Sequence, residues 1–184
     1  MRTERYLTSL LLLLAGALWC CGQSQTATVK ITDGTNGIPA QAIATMERDQ
    51  IKMKILGDVS ALSPSLQAEI AETNEISSRY DGFQANICLN YGGRDEIRRA
   101  VQKIITEGIP AEEITEESIA AHLDTAGLPD PDLLIRTSGE QRLSNYLMWQ
   151  LAYSEFFFTD TLWPDFDADA LDKAIVEFAR RTRR

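Results

Sequence analysis

Two arginines and a serine, Arg136, Arg142 and Ser144, stand just beyond a short apolar run, Leu133-Leu134-Ile135. Guanidinium groups stay charged, and their forked N–H donors match phosphate oxygens, so residues of these types at this spacing suit a phosphate. The longer stretch, Asp130-Pro-Asp-Leu-Leu-Ile-Arg-Thr-Ser-Gly-Glu140 followed by Gln141-Arg142-Leu143-Ser144-Asn145, reads as a buried strand, a Thr-Ser-Gly loop and the start of a helix. In an open parallel sheet ligands bind outside the carboxyl ends of strands, and a helix N-terminus at that edge favours an anion. The competing reading is structural: the arginines pair with Asp132, Glu140 or solvent.

Other chemistries fare worse. The single histidine, His122, excludes a site built from several imidazoles, and its helical run Ile119-Ala-Ala-His-Leu123 gives a serine hydrolase no better base. Of three cysteines two are adjacent, Cys20 and Cys21, and Cys88 sits in an apolar run, so no disulfide scaffold is expected. The pairs Glu112-Glu113 and Glu116-Glu117 read as solvated helix starts, favoured by the helix dipole. With 18 Lys+Arg against 27 Asp+Glu the net charge is −9, which argues against a nucleic-acid partner bound through bulk charge.

The elements that must position the arginines alternate. Ile51 to Leu56 reads as a strand ending in Gly57-Asp58. Ser63-Pro64 opens a helix with Leu66, Ile70 and Ile76 on one side, fading near Tyr80. Phe83 to Asn90 is apolar enough for a central strand. After Gly92-Gly93, Arg94 to Thr106 reads as a helix with Ile97, Val101, Ile104 and Ile105 inward. A short helix runs from Thr115 to an end at Gly127, a further one spans Asn145 to Glu155, Phe156 to Phe158 is a short strand, and Ala168 to Arg181 is the last helix. Strands and helices in this order predict an α/β fold with a mostly parallel sheet flanked by helices. Three segments are expected: a leader over 1–22, a linker over 23–48 and the folded domain over 49–184. In the leader, Arg2 and Arg5 precede an uncharged stretch with five consecutive leucines, the pattern of a secretory signal or membrane anchor. Thr26 to Thr32 alternates as a strand does, so the linker is either a hairpin stub or loose chain.

The run Leu128-Pro-Asp-Pro-Asp-Leu-Leu-Ile-Arg-Thr-Ser-Gly-Glu-Gln-Arg-Leu-Ser-Asn145, with Trp149-Gln-Leu-Ala-Tyr-Ser-Glu155 and Trp163-Pro-Asp-Phe166, closely resembles the cis-prenyltransferases. Asn90-Tyr-Gly-Gly-Arg-Asp-Glu-Ile97 resembles the family's other signature, and the likeness runs from about Asp49 to Arg184. The resemblance implies condensation of isopentenyl diphosphate with an allylic diphosphate such as farnesyl diphosphate, with Mg²⁺. It implies that Arg136, Arg142 and Ser144 hold the diphosphate of isopentenyl diphosphate, and that Glu155 is the Mg²⁺ ligand, given across a homodimer interface. Asn90 and Arg94 would support the carboxyl edge of the sheet, with Asp132 and Glu140 supporting the arginines. The family's location is cytoplasmic or peripheral at the membrane.

The departures are as specific. The family's Asp-Gly-Asn-Gly-Arg-Trp-Ala loop, which supplies an essential Asp for the allylic diphosphate, does not appear before Asp49. Asp33-Gly-Thr-Asn-Gly37 echoes it, with an extra residue and with Ile38-Pro39 where Arg-Trp should follow. The Phe-Ser-x-Glu-Asn segment is missing too, and no catalytic Asp is identified. Two functions stay open: a prenyltransferase, or a non-catalytic truncated relative or partner subunit.

Overall fold

Apolar residues at strand spacing in Ile51-Lys-Met-Lys-Ile-Leu56 form β2 (Lys52–Leu56), which runs parallel to β3 (Gln84–Cys88). On the other side of β3 lies β1 (Thr26–Lys30), also parallel, so the order is β1-β3-β2. The structure is a computed structural model that describes Thr26–Lys30 as backbone and residues 47–181 in full. The leader, the Asp33-Gly34 and Asn36-Gly37 turns and residues 182–184 lie outside the described residues.

Two observations amend the expected layout. The stretch expected as linker holds β1, paired with β3 from Thr26↔Gln84 to Lys30↔Cys88. A hairpin stub would pair antiparallel, so β1 is a strand of the main sheet and not one arm of a hairpin. The parallel strands also fall into two sheets and two compact units. The three-stranded unit comprises Ser24–Pro129 and Ser144–Trp149, and the two-stranded unit comprises Asp130–Leu143 and Gln150–Arg184.

In the three-stranded unit β3 is central and buried along nearly its whole length. Helix α1 (Pro64–Ser77) starts as its sequence dictates, with Pro64 in the first turn and the Ser63 side chain accepting from the Leu66 N–H at 3.4 Å. It packs on β2 through Ile70, Thr73 and Ser77, with Leu66 and Ile76 only half-buried. The Ser77 hydroxyl donates to the Met53 carbonyl at 3.1 Å, which satisfies a polar group in the core.

Helix α2 (Gly93–Thr106) is rotated from the expected orientation. Its buried positions are Gly93, Glu96, Ala100 and Ile104, at helical spacing, whereas Val101 and Ile105 are 43% and 70% exposed. Two small residues on the inner face bring the helix close to its neighbours, and a carboxylate lies among them. Glu96 is 1% exposed. It is tolerated because its oxygens accept from the Tyr91 hydroxyl at 2.5 Å and from the Asp124 N–H at 2.9 Å. The short helix α3 (Glu116–Ala120) packs against α2, opens with a reciprocal cap between Thr115 and Ser118, and stops well short of the expected Gly127, residues 121–127 running in turns.

In the two-stranded unit β4 (Leu133–Arg136) pairs parallel with β5 (Glu155–Phe158), from Leu133↔Glu155 to Arg136↔Phe158. Of β4, expected to be buried throughout, only Leu134 is. Helix α4 (Ala168–Arg180) is capped by Asp167, whose carboxylate accepts from Ala170 N–H at 2.9 Å, and it packs on β5. The core here is Leu134, Leu151, Phe166 and Ala174 with the buried Gln150.

The helix expected over Asn145 to Glu155 is not formed; residues 144–153 run in turns. Ser144, Asn145 and Leu147 have φ of 50°, 63° and 43°, left-handed values that no right-handed helix contains. Among the described residues no helix is long and apolar enough to cross a membrane.

The rotation of α2 gives a direct test. Ile104→Ala, which empties a buried site, is expected to cost about 2–5 kcal/mol. Ile105→Ala, on the exposed face, is expected to stay within about 0.5 kcal/mol. Urea unfolding of the two variants measures both, and the expected inward set of the sequence would make them alike.

Candidate functional site

In the three-stranded unit the ends of β2 and β3 are tied by Asn90. Its backbone is left-handed, with φ of 48°, and its amide donates to the Asp58 carbonyl at 2.8 Å while the Asp58 N–H donates back to the Asn90 carbonyl at 3.3 Å. Asp58 in turn caps the short turn Val59–Ala61, and hydrogen bonds from Ser60 hold its carboxyl below the usual carboxylate range. The carboxyl edge between β2 and β3 is thereby fixed, with Arg94 exposed just beyond it.

The next residues, Gly92-Gly93, meet the other signature in the same unit. A Cβ on Gly92 would lie 2.7 Å from the Asn145 amide nitrogen, and one on Gly93 would lie 2.9 Å from the Met148 backbone nitrogen. Only glycine admits so close an approach. Asn145 uses it to close the start of α2: its carbonyl accepts from Gly93 N–H at 2.8 Å and its side-chain oxygen from Arg94 N–H at 2.9 Å. An asparagine read as the start of its own helix therefore caps another one. These two N–H donors, which an anion would need, are already taken. Tyr146 and Leu147 anchor the segment, Tyr146 packing edge-on to Tyr91 with ring centroids 6.1 Å apart. Ser144 belongs to this unit and is exposed.

The arginines lie in the two-stranded unit. Arg136 ends β4, and the chain turns back through two left-handed residues, Ser138 and Gly139. Their N–H groups donate to the carbonyls of Thr161 and Thr159, both at 2.9 Å, and Thr159 N–H donates to the Arg136 carbonyl at 3.0 Å. This pinned turn delivers Glu140 to the arginines. One carboxylate oxygen, Oε2, is shut off from solvent against Arg142 Nη1, with Arg136 Nη2 at 3.8 Å. The contact is electrostatic and lacks the geometry of a directional hydrogen bond. Arg136 is about one quarter exposed and Arg142 about two thirds.

Arg136, Glu140 and Arg142 are thus brought together, and two other expected members are not. Asp132 precedes β4 at its opposite end, where its carbonyl accepts from Glu155 N–H at 2.9 Å. Glu155 opens β5 in register with Leu133, while Arg136 is in register with Phe158. Three residues of strand separate them, roughly 10 Å, so Glu155 and Arg136 do not share a carboxyl edge within one chain. Glu155 instead accepts from Arg181 Nη1 at 3.0 Å; the same guanidinium donates to the Phe156 carbonyl at 3.0 Å and to Glu177 at 2.7 Å. Glu177, then Glu155, raise the Arg181 pKa. Arg181 is the residue that sequence reasoning missed here; its spacing of four from Glu177 was the available signal.

This donor set does not fit a resident Mg²⁺, which takes near-octahedral oxygen ligands. Glu155 offers one carboxylate, engaged by Arg181, and among the described residues no three His, Cys, Asp or Glu side chains gather.

His122 is held by acceptors on both ring nitrogens. Nδ1 is 2.5 Å from the Ser118 carbonyl and Nε2 is 3.0 Å from the Glu107 carboxylate. Both nitrogens must donate, which the imidazolium alone does, so the ring is unsuited to act as a general base. Glu107 and then Ser118 raise its pKa above the ordinary 6.5. A raised folded-state pKa gives stability that is full below the unfolded value and lost as pH rises through the folded one. The melting temperature is expected to fall across that window, and the fall to shrink in Glu107→Gln. Separately, Asn145→Ala, which uncaps α2, is expected to cost about 0.5–2 kcal/mol in urea unfolding.

A family model described as putative undecaprenyl diphosphate synthase matches residues 28–184, so the likeness begins well before Asp49 and takes in most of β1. A ditrans,polycis-undecaprenyl-diphosphate synthase ((2E,6E)-farnesyl-diphosphate specific) of Vibrio vulnificus is 42% identical over 146 residues, 77% of this chain and 58% of that one. Isoprenyl transferase 2 of Bradyrhizobium diazoefficiens is 48% identical over 147 residues, with the same two shares. The chain therefore spans under two thirds of the length of these curated relatives. Among solved structures, lavandulyl diphosphate synthase from Lavandula x intermedia, in complex with dimethylallyl diphosphate, superposes with a TM-score of 0.79 at 26% identity, over 99% of this chain and 86% of that one. A probable undecaprenyl diphosphate synthase from Campylobacter jejuni gives 0.78 at 24% identity, over 100% and 92% of the two chains, and shares the fold. With the model matched from residue 28 to the last and both signatures in place, the chain belongs to the undecaprenyl diphosphate synthase family of cis-prenyltransferases.

Proposed function

We propose that this chain carries the isopentenyl diphosphate half-site of a cis-prenyl chain elongation. The observation that carries the reading is the convergence of Arg136 and Arg142 on a single anionic oxygen at a strand's carboxyl end. Forked guanidinium donors around one negative charge are what a diphosphate requires. Ser144, two residues beyond Arg142 in the sequence, is the hydroxyl donor that the family resemblance adds to this reading, and Asn90, with Arg94 in the same signature, holds the ends of β2 and β3.

The reaction is an electrophilic alkylation. The alkene of isopentenyl diphosphate attacks C1 of an allylic diphosphate such as farnesyl diphosphate, a C–C bond forms as the C–O bond breaks, and diphosphate leaves. A proton lost from the new carbocation restores the alkene. Arg136 and Arg142 would hold isopentenyl diphosphate by its charged end and leave its apolar end to react. A divalent cation enters this reading as the counter-ion of the diphosphates. A homodimer in which Glu155 serves the neighbouring subunit, and a cytoplasmic or membrane-peripheral location, belong to the same proposal.

Calorimetric titration with isopentenyl diphosphate tests it. Weak binding by the full chain is expected, with Arg136→Ala losing about 1.5–3 kcal/mol, roughly ten- to hundredfold in affinity. Glu155→Ala is expected to leave metal-free binding nearly unchanged, because it lies at the other end of the strand pair. A parent protein that binds nothing would refute the half-site. Labelled isopentenyl diphosphate with farnesyl diphosphate then separates turnover from the non-catalytic alternative, in which binding occurs and no polyprenyl product forms.

A further inference from the structure

Glu140 occupies the position that a ligand anion would take. Its Oε2 has no access to solvent and faces Arg142 Nη1 and Arg136 Nη2, although the residue as a whole is about one third exposed. The carboxylate is delivered there by backbone: Ser138 and Gly139 are both left-handed, with φ of 69° and 68°, and both N–H groups are pinned to Thr161 and Thr159. A surface ion pair between long side chains needs no such construction. The pair of guanidiniums alone would carry two adjacent positive charges that repel. One carboxylate between them lowers the local charge to a single positive and keeps both forks facing inward.

We propose that Glu140 is an internal place-holder anion, which pre-organises Arg136 and Arg142 and is exchanged for the incoming diphosphate. The inference rests on the diphosphate reading of the two arginines. Because the turn is fixed by its backbone hydrogen bonds, the exchange needs only side-chain rotation of Glu140 toward solvent. A diphosphate brings more charge and more acceptor oxygens than one carboxylate, so it displaces Glu140, whereas a singly charged anion gains little over the group already present. Glu140 then restricts the site to highly charged ligands and keeps it neutral enough to shed stray anions.

The opposite role, a carboxylate that stays and helps to bind, forecasts the reverse effect on affinity. Inorganic pyrophosphate and inorganic phosphate are the probes, titrated calorimetrically into the full chain, Glu140→Gln, Glu140→Ala and Arg136→Ala, each checked by thermal melting. Removing the competing charge is expected to tighten pyrophosphate binding about fivefold in Glu140→Gln. Glu140→Ala should tighten it in the same direction, which keeps the test informative if one variant folds poorly. Phosphate, weak or silent on the parent, should become measurable in both. Parent binding that is lost in Arg136→Ala but unchanged or weakened in the Glu140 variants overturns the place-holder and leaves the diphosphate site standing. Silence of every protein toward pyrophosphate overturns both.

Discussion

A carboxylate cannot be withdrawn from water without partners, and in the three-stranded unit one has been. Glu96 is fully buried on the inner face of α2, where an unpaired charge would cost several kcal/mol. Its two oxygens take the Tyr91 hydroxyl and the Asp124 N–H, so the residue before Gly92-Gly93 and the loop after α3 are both fixed by one side chain. Asp124 is then gripped by Arg99 through two bonds of 2.7 and 2.6 Å, and Arg99 also reaches Asp95 at 2.9 Å. Burial and then the Glu96 bond push the Tyr91 hydroxyl above its ordinary pKa, which favours the protonated, donating form. Once this network sets the rotation of α2, Gly92 and Gly93 face the segment that holds Asn145 and Met148, and the two family signatures meet.

The two-stranded unit is organised differently. Its apolar core is small, and much of its definition comes from hydrogen bonds around the β4 and β5 ends. Thr159 and Thr161 receive the turn that presents Glu140, and Arg181 closes the opposite end through Glu155 and the Phe156 carbonyl. The charged groups at these two ends are held by separate devices. One end balances two guanidiniums with one carboxylate; the other balances one guanidinium with two. Only the first has cations in excess.

The strand and helix content was legible from residues 51 onward, because alternation and capping are local properties. Ser63-Pro64 starts α1 and Thr115 with Ser118 starts α3 by bonds within a single turn, so the neighbouring sequence carries all the information. The arginines were legible for the same reason: two guanidiniums beside a strand end are a chemical pattern before they are a geometry. Glu140 was visible as a pairing partner, but its enclosed oxygen follows from a turn pinned by threonines some twenty residues away. Asn145 misled the reading, since a capping residue shows in sequence that it caps, not which helix. The expected helix after it does not form: Ser144, Asn145 and Leu147 are left-handed, and both Asn145 oxygens accept from the first N–H groups of α2.

What the sequence determined by itself was the kind of parts: an α/β chain, a family signature at each strand end, and a pair of arginines just beyond one of them. What the tertiary structure decided was which face of α2 turns inward, which carboxylates meet which arginines, and that Glu155 and Arg136 stand at opposite ends of one strand pair. The division has a physical cause. Backbone preference and side-chain chemistry act over a few residues, whereas burial, charge pairing and strand register depend on groups that only the folded chain brings within reach.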